Sequence, residues 1–312
     1  MEDIIIIGAG PIGLYSATLA SLHGLKGLVI EGLDIVGGQL SSLYPEKDIV
    51  DLPGFSSIKA QEFIDALLNQ AKSRNNPLEI KTHETMLSYI KEDDHFVITT
   101  NKNTYLTRTL LLTTGMGLFT PRKLDVEGAN KYQNIIYFLK ETNFLKDKDV
   151  VILGGGDSAC DWAIMLSKVC KNVSIVHRRD EFRAKDETVK EMEKLGVHIY
   201  KPFQVKSLSG ENNIAKEIIL TNKEDITLKF DYLFVNYGLV TIPTKANLQM
   251  KMNAFEVSTN MMTSEENIFA IGNACYYEGK VKNITSGLGE AVTAITKIDQ
   301  IIHPNKNIPV HF

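Results

Sequence analysis

Two stretches of the chain, IIIIGAGPIG at residues 4–13 and VILGGGDSACDW at residues 151–162, each carry an apolar run into a glycine-rich turn and out into a helical pattern. A single turn of this kind is as readily ordinary helix-on-sheet packing as a binding motif. The pair is more constraining, because both turns lead into the same succession of elements. In the first copy, Asp3 to Ile7 reads as a strand, Gly8 to Gly13 as the turn, Leu14 to Leu22 as a helix, and Leu28 to Ile30 as a second strand ending at Glu31. In the second copy, Val150 to Leu153, Gly154 to Gly156, Ala159 to Val169 and Val173 to Val176 repeat that order and end at His177. Gly8 to Glu31 and Gly154 to His177 both span 23 positions, an interval that unrelated glycine turns have no reason to share.

In a strand–turn–helix of this type the first glycine permits the tight turn and the second lets a pyrophosphate approach the backbone. The third position must be small so that helix and strand pack closely. These are Gly8, Gly10 and Gly13 in one copy and Gly154, Gly156 and Ala159 in the other. Free amides and the dipole at each helix start then bind the anion, which brings in Pro11 and Ile12 at the first site and Asp157 and Ser158 at the second. The residues closing the second strands separate the two ligands. Glu31 accepts hydrogen bonds from a ribose 2′-hydroxyl and repels a 2′-phosphate, so the first site suits FAD or NAD. The second copy has HRRDEFR instead, placing His177, Arg178, Arg179 and Arg183 where a 2′-phosphate would lie, which favours NADP(H). The competing reading is a solvated basic loop neutralised by Asp180 and Glu181.

A chain of 312 residues accommodates two domains of moderate size. Its 44% hydrophobic and 23% charged residues are those of a soluble globular protein, and a net charge of −4 offers no general attraction for nucleic acid. The N-terminal apolar run breaks at glycine after Ile7, too short for a signal peptide or a membrane span, so a cytoplasmic location is expected. Cys160, Cys170 and Cys275 form no C-x-x-C pair and have no metal-ligand spacing with histidines; no metal site is expected.

Between the copies, TLLLTTGMG at 109–117 is an apolar strand closing on Gly115, with Pro121 beyond it, and DYLFVNYGLVTIP at 231–243 has the same form around Gly238 and Pro243. As an outward and a return crossing, they insert the second fingerprint into the first domain. The expectation is an α/β chain of two Rossmann-like, three-layer ββα dinucleotide-binding domains. Residues 1–115 and 241–312 form the FAD domain and residues 116–240 the inserted NADPH domain.

The segments GAGPIG, GGQLSSLYPEKDIVDLPGF, FTPRKL, GGGDSACDWA, HRRDEFRA, VNYGLV, IFAIGNACYYEGKVKNITSGLGEA and IPVH resemble, over essentially the whole chain, the ferredoxin-NADP reductases built like thioredoxin reductase. Thioredoxin reductases of this fold carry a C-x-x-C just ahead of the second fingerprint, where this chain has NIIYFLKETNFLKDKDVVIL. The resemblance therefore implies hydride transfer between NADP(H) and FAD N5, followed by one-electron transfers with ferredoxin or flavodoxin and no dithiol relay. It implies flavin contacts from Gly38 and Gln39 of GGQL, from Met86, Phe119 and Asn273, from Tyr44 stacked on the isoalloxazine, and from His311 covering its other face, the last across a homodimer. It also implies hinges at Gly115 to Gly117 and at Gly238.

Two departures stand out. Asn273 replaces the usual aspartate of the late motif, removing a negative charge near the flavin, and the chain stops at Phe312, one residue past the histidine. No side chain needs to act as a general acid or base. Two other functions remain open at this level: an NADPH-dependent flavin or quinone reductase, and a flavin redox sensor without turnover.

Overall fold

The computed structural model describes residues 1–139, 141–242 and 246–306, without the side chains at 118, 119, 239, 241 and 242. The chain divides into two compact units, Met1–Phe119 with Thr241–Phe312, and Thr120–Val240. In chain order the principal elements of the first unit are β1 (Glu2–Ile7), α1 (Pro11–His23), β2 (Gly27–Ile30), α2 (Gln39–Leu43), α3 (Ala60–Lys72), β3 (Glu79–Lys81), β4 (Met86–Lys91), β5 (Phe96–Thr100) and β6 (Thr104–Leu112). The second unit supplies β7 (Ile135–Ile136), β8 (Asp149–Leu153), α4 (Asp157–Ser167), β9 (Asn172–Val176), α5 (Asp186–Lys194), β10 (His198–Tyr200) and β11 (Tyr232–Val235). The returning chain completes the first unit with β12 (Ile268–Ala270) and α6 (Ile284–Ile302).

In the first unit a seven-stranded sheet runs β3-β2-β1-β6-β5-β4, and β12 also pairs with β6. The pairs β1–β2, β2–β3, β1–β6 and β6–β12 are parallel; β5 and β4 add an antiparallel edge. Position in this sheet explains the sequence of β1. A central parallel strand is covered on both faces, so Ile4 to Ile7 are all buried and no polar residue alternates with them. Helix α3 lies on a surface and alternates instead, burying Ala60, Phe63, Ile64, Leu67 and Ala71 at helical spacing. One continuous core holds Ile4 and Leu110 together with Phe269, Ala294 and Ile298. The two sequence-distant pieces of the unit thus share one interior, which is the physical meaning of an interrupted domain.

The second unit has a five-stranded parallel sheet in the order β7-β11-β8-β9-β10. A three-stranded antiparallel ribbon, Gln204–Glu211, Ile214–Thr221 and Asp225–Lys229, accompanies it. Its own cores centre on Ile152, Ala163 and Ile175 and on Leu153, Ile218 and Leu233.

Both fingerprint helices start earlier than their apolar pattern indicates: α1 at Pro11 rather than Leu14, and α4 at Asp157 rather than Ala159. The residues after the second glycine are already the first helical turn. Proline fits there because its fixed φ is helical and its missing N–H would have no intrahelical partner.

Candidate functional site

The first unit contains a cavity of about 750 Å³, within the roughly 300–1,000 Å³ usual for small-molecule sites. It opens along the C-terminal ends of the parallel strands, where open α/β sheets bind their ligands. Glu31 follows β2, the turn Gly8, Gly10, Pro11, Ile12 follows β1, Thr113 to Gly117 follow β6, and Gly272 with Asn273 follows β12; all of these line the cavity. Gly38, Gln39 and Met86 line it too. Gly13 lies below, where a Cβ would stand 1.9 Å from the Gly8 carbonyl oxygen, so its role is to let helix and turn meet. Tyr44 caps the end of α2, half-buried, with the Lys47 ammonium 5.6 Å from its ring centre; it is not among the lining residues. The Phe119 side chain and His311 lie outside the described residues.

The turn is fixed from two sides. Thr113 Oγ1 lies 2.7 Å from the Gly8 oxygen and 3.0 Å from the Ile7 oxygen, donating to one at a time. Gly8 itself has φ +107°, and a Cβ there would meet the Thr113 carbonyl at 2.8 Å. From the other side Glu31, 5% exposed, accepts from the Ala9 amide at 2.7 Å and the Leu33 amide at 2.9 Å. Burial pushes its carboxyl above the usual carboxylate range, against the pull of the Leu33, Ala9 and Gly32 amides. Each carboxylate oxygen has a second lone pair, which can accept a ribose hydroxyl.

In the second unit the turn after β8 is built on a different contact. His177, 6% exposed, slides beneath it: a Cβ on Gly155 would stand 2.1 Å from the His177 Nδ1. The imidazole stacks on Phe182 at 5.3 Å between ring centres, and its Nε2–H donates to the Glu181 carbonyl at 3.1 Å. The Arg183 amide donates to the Gly155 carbonyl at 2.8 Å, folding the loop back over the turn. Burial pushes the His177 imidazole below its usual value; the bond to Glu181 opposes this, and Arg179, Arg183 and Arg178 reinforce it. His177 is therefore a neutral wedge under the turn rather than a cation on its surface. A ring packed on a glycine has no room to carry a charged, hydrated face. Arg178, Arg179 and Arg183 are exposed, and none is ion-paired among the described residues, including with Asp180 and Glu181. Gly154 packs against Ala159, with Cβ to Cβ at 2.7 Å if a side chain were added. Asp157 and Ser158 open α4.

Whether these turns fit a dinucleotide is tested by their second glycines. Gly10 and Gly156 have φ of −67° and −96°, which any residue adopts, and no protein atom lies within 4 Å of where a Cβ would stand. No described residue fills the space at either place, so the backbone of both turns is open to a passing ligand, and both fit a pyrophosphate.

Several lining residues carry no fingerprint signal. Glu84, 2% exposed, sits beside Glu31 through its amide, which donates to the Glu31 carbonyl at 2.9 Å, and it accepts from Thr100 at 2.6 Å and Tyr105 at 2.9 Å. Lys282 and Asn283 enter from the start of α6. Gly115 and Gly117, which the sequence pattern assigns to a crossing, line this cavity at φ of +59° and +93°. In the second unit Tyr237 stands two residues beyond β11, 39% exposed overall, while the packing around its hydroxyl pushes that group up to about 12, with Arg178 opposing and Tyr137 reinforcing the shift.

Two dinucleotide cradles on one chain, one interrupted by the other, define a nucleotide-dependent oxidoreductase class. The chain belongs to the pyridine nucleotide-disulphide oxidoreductase family, whose model matches residues 2–297. A Streptococcus suis protein named ferredoxin–NADP reductase is 40% identical, covering 99% of this chain and 97% of that one. One of the same name from Acholeplasma laidlawii is 41% identical, covering 98% and 96%. Among solved structures, the thioredoxin reductase of T. acidophilum superposes with a TM-score of 0.77 at 24% identity, covering 96% of this chain and 98% of that one, which shows the shared fold.

Proposed function

We propose that the chain moves reducing equivalents between NADP(H) and ferredoxin or flavodoxin through an FAD held in the first unit. The reading is supported above all by the two turns of opposite charge, an acid closing the first and, beside the second, three exposed arginines that form no ion pair among the described residues, in a chain whose full-length relatives are named ferredoxin–NADP reductase. When bound, FAD supplies the conversion between a hydride and single electrons. The protein's part is to hold and orient. Glu31 and Glu84 receive the adenosine end, the Gly8 to Gly13 turn receives the pyrophosphate, and Asn273 bonds a ribityl hydroxyl. Arg178, Arg179 and Arg183 hold the 2′-phosphate of NADP(H), over a turn that His177 keeps rigid.

Burial pushes the thiols of Cys160 and Cys275 up to about 12 and that of Cys170 up to about 11. They stay protonated at neutral pH, so none of the three would serve as the thiolate of an exchange relay. Tyr44 would stack on the ring, and on the same reading the protein works as a homodimer in the cytoplasm.

The test is steady-state oxidation of NADPH by the purified, FAD-loaded protein. Ferredoxin-dependent cytochrome c reduction at least tenfold faster than direct reduction of quinones or free flavins is the expected result. Equal rates with small acceptors, or no turnover, overturn the assignment.

A further inference from the structure

Glu290 is an acid in the buried face of α6, 5% exposed among Gly287, Ala291, Ala294 and Ile295. Its Oε2 accepts from the Gly272 amide at 2.7 Å and lies 3.6 Å from Cys275 Sγ; its Oε1 accepts from the Tyr277 hydroxyl at 2.8 Å and pairs with the Lys280 ammonium. The side chains of the pair are 4% and 3% exposed. A buried pair of this kind is weak evidence of a stability role, because desolvation offsets much of the attraction and apolar residues of the same volume often serve as well.

What the pair does hold is Gly272. That residue sits at φ +67° at the head of the turn that presents Asn273, and both line the cavity. Gly287, one helical turn before Glu290, brings α6 within reach: a Cβ on it would stand 3.4 Å from Gly272 Cα and 2.7 Å from Ile12 Cδ1. Strand order then locates the turn. Across the sheet the sequence is β2 with Glu31, β1 with the glycine turn, β6, and β12 with Gly272. A dinucleotide with its adenosine ribose at Glu31 and its pyrophosphate over β1 carries its redox end to the β6–β12 side, where Gly272 and Asn273 are.

We infer that Glu290 is a positioning residue: through the Gly272 amide it fixes the Gly272–Asn273 turn against the redox end of the bound flavin, and its charge, balanced by Lys280, sets the reduction potential there. The inference rests on the reading of the first unit as the FAD site. Residue 273 is asparagine, so the turn itself carries no charge, and the carboxylate lies one peptide group behind the cavity wall. A reduced ring is more negative than an oxidised one. An unbalanced ammonium behind the wall favours reduction, and an unbalanced carboxylate disfavours it.

The experiment compares FAD-loaded wild type with Glu290→Gln, Lys280→Met, the double variant and Tyr277→Phe, reading the midpoint potential against a reference dye and FAD affinity by fluorescence titration. Glu290→Gln is expected to raise the potential and weaken FAD binding by about tenfold. Lys280→Met lowers the potential, the double variant returns close to wild type, and Tyr277→Phe, which removes one donor to the carboxylate, lowers it by less than Lys280→Met does. A role confined to packing predicts no such sign reversal. Shifts of equal sign in the two charge variants, or none, in folded flavin-loaded protein overturn the inference. If Glu290→Gln fails to fold, an unshifted potential in both Lys280→Met and Tyr277→Phe overturns it equally. A wild-type protein that takes up no flavin overturns the reading of the first unit instead.

Discussion

The two glycine turns share a frame and differ in what locks them. In the first unit the residue closing the second strand is Glu31, which reaches back and accepts the amide of Ala9 inside the turn. In the second it is His177, whose ring lies under Gly155 so closely that no side chain fits there. The 23-residue interval puts both residues at the same place. Each fastens the turn and also decides what charge stands beside it. The first lock is an acid that itself lines the cavity. The second is a buried ring, and the charge beside that turn comes from the exposed Arg178, Arg179 and Arg183 next along the chain.

The comparison breaks most severely at Glu31. Glu31→Ala leaves the buried Ala9 amide without its acceptor, at about 1–3 kcal/mol, and the half-buried Leu33 amide at less, and removes the group proposed to face the ribose. Purified variant protein is expected to lose FAD by more than a hundredfold in affinity and to unfold at lower denaturant, measured by flavin fluorescence and urea titration. Arg178→Ala with Arg179→Ala comes next. Charge-assisted hydrogen bonds contribute about 1.5–3 kcal/mol each, so the kcat/KM preference for NADPH over NADH should fall by about a hundredfold with FAD content unchanged. An unaltered preference refutes the role of the arginines. Smaller again are Gly10→Ala and Gly156→Ala. Neither Cβ meets an atom of the described residues, so thermal stability should hold. Gly10→Ala should weaken only FAD binding and Gly156→Ala only NADPH binding, each by about tenfold, since the added methyl stands where the backbone meets the pyrophosphate.

The glycine fingerprints, Glu31, and the return of the chain to complete the first core were legible because each rests on a local pattern: an apolar run, a turn, a fixed interval. Glu84, Thr113, Lys282 and Glu290 carry no such pattern. They reach the first site because the loop before β4, the end of β6 and the start of α6 assemble there from distant parts of the chain, and no interval in sequence encodes that meeting. His177 shows the opposite limit. Its position was legible, but its charge was not, because that depends on a glycine 22 residues earlier leaving room for a ring.

That charge yields the smallest and most discriminating effect. His177 has its imidazole held below the usual histidine range by burial and by the three arginines. The unfolded chain titrates near 6.5. As pH falls below that value, the unfolded state takes up a proton that the folded state resists, so stability is complete above about pH 6.5 and declines below it. In the first unit Glu31 has the opposite sign. Its folded carboxyl is raised above the unfolded value, so its burial penalty is present above the unfolded pKa and is relieved as pH falls toward the carboxylate range. Urea titrations from pH 7.5 to 5.5, followed through Trp162 in α4 of the second unit, should therefore show a loss of stability on acidification. His177→Gln, which keeps a polar group near the Glu181 carbonyl without a titrating ring, should flatten that slope while costing about 1 kcal/mol at pH 7.5 through lost packing. An identical slope in the variant would mean that His177 titrates alike in the folded and unfolded chain, and that its place under Gly155 does not disfavour its charge.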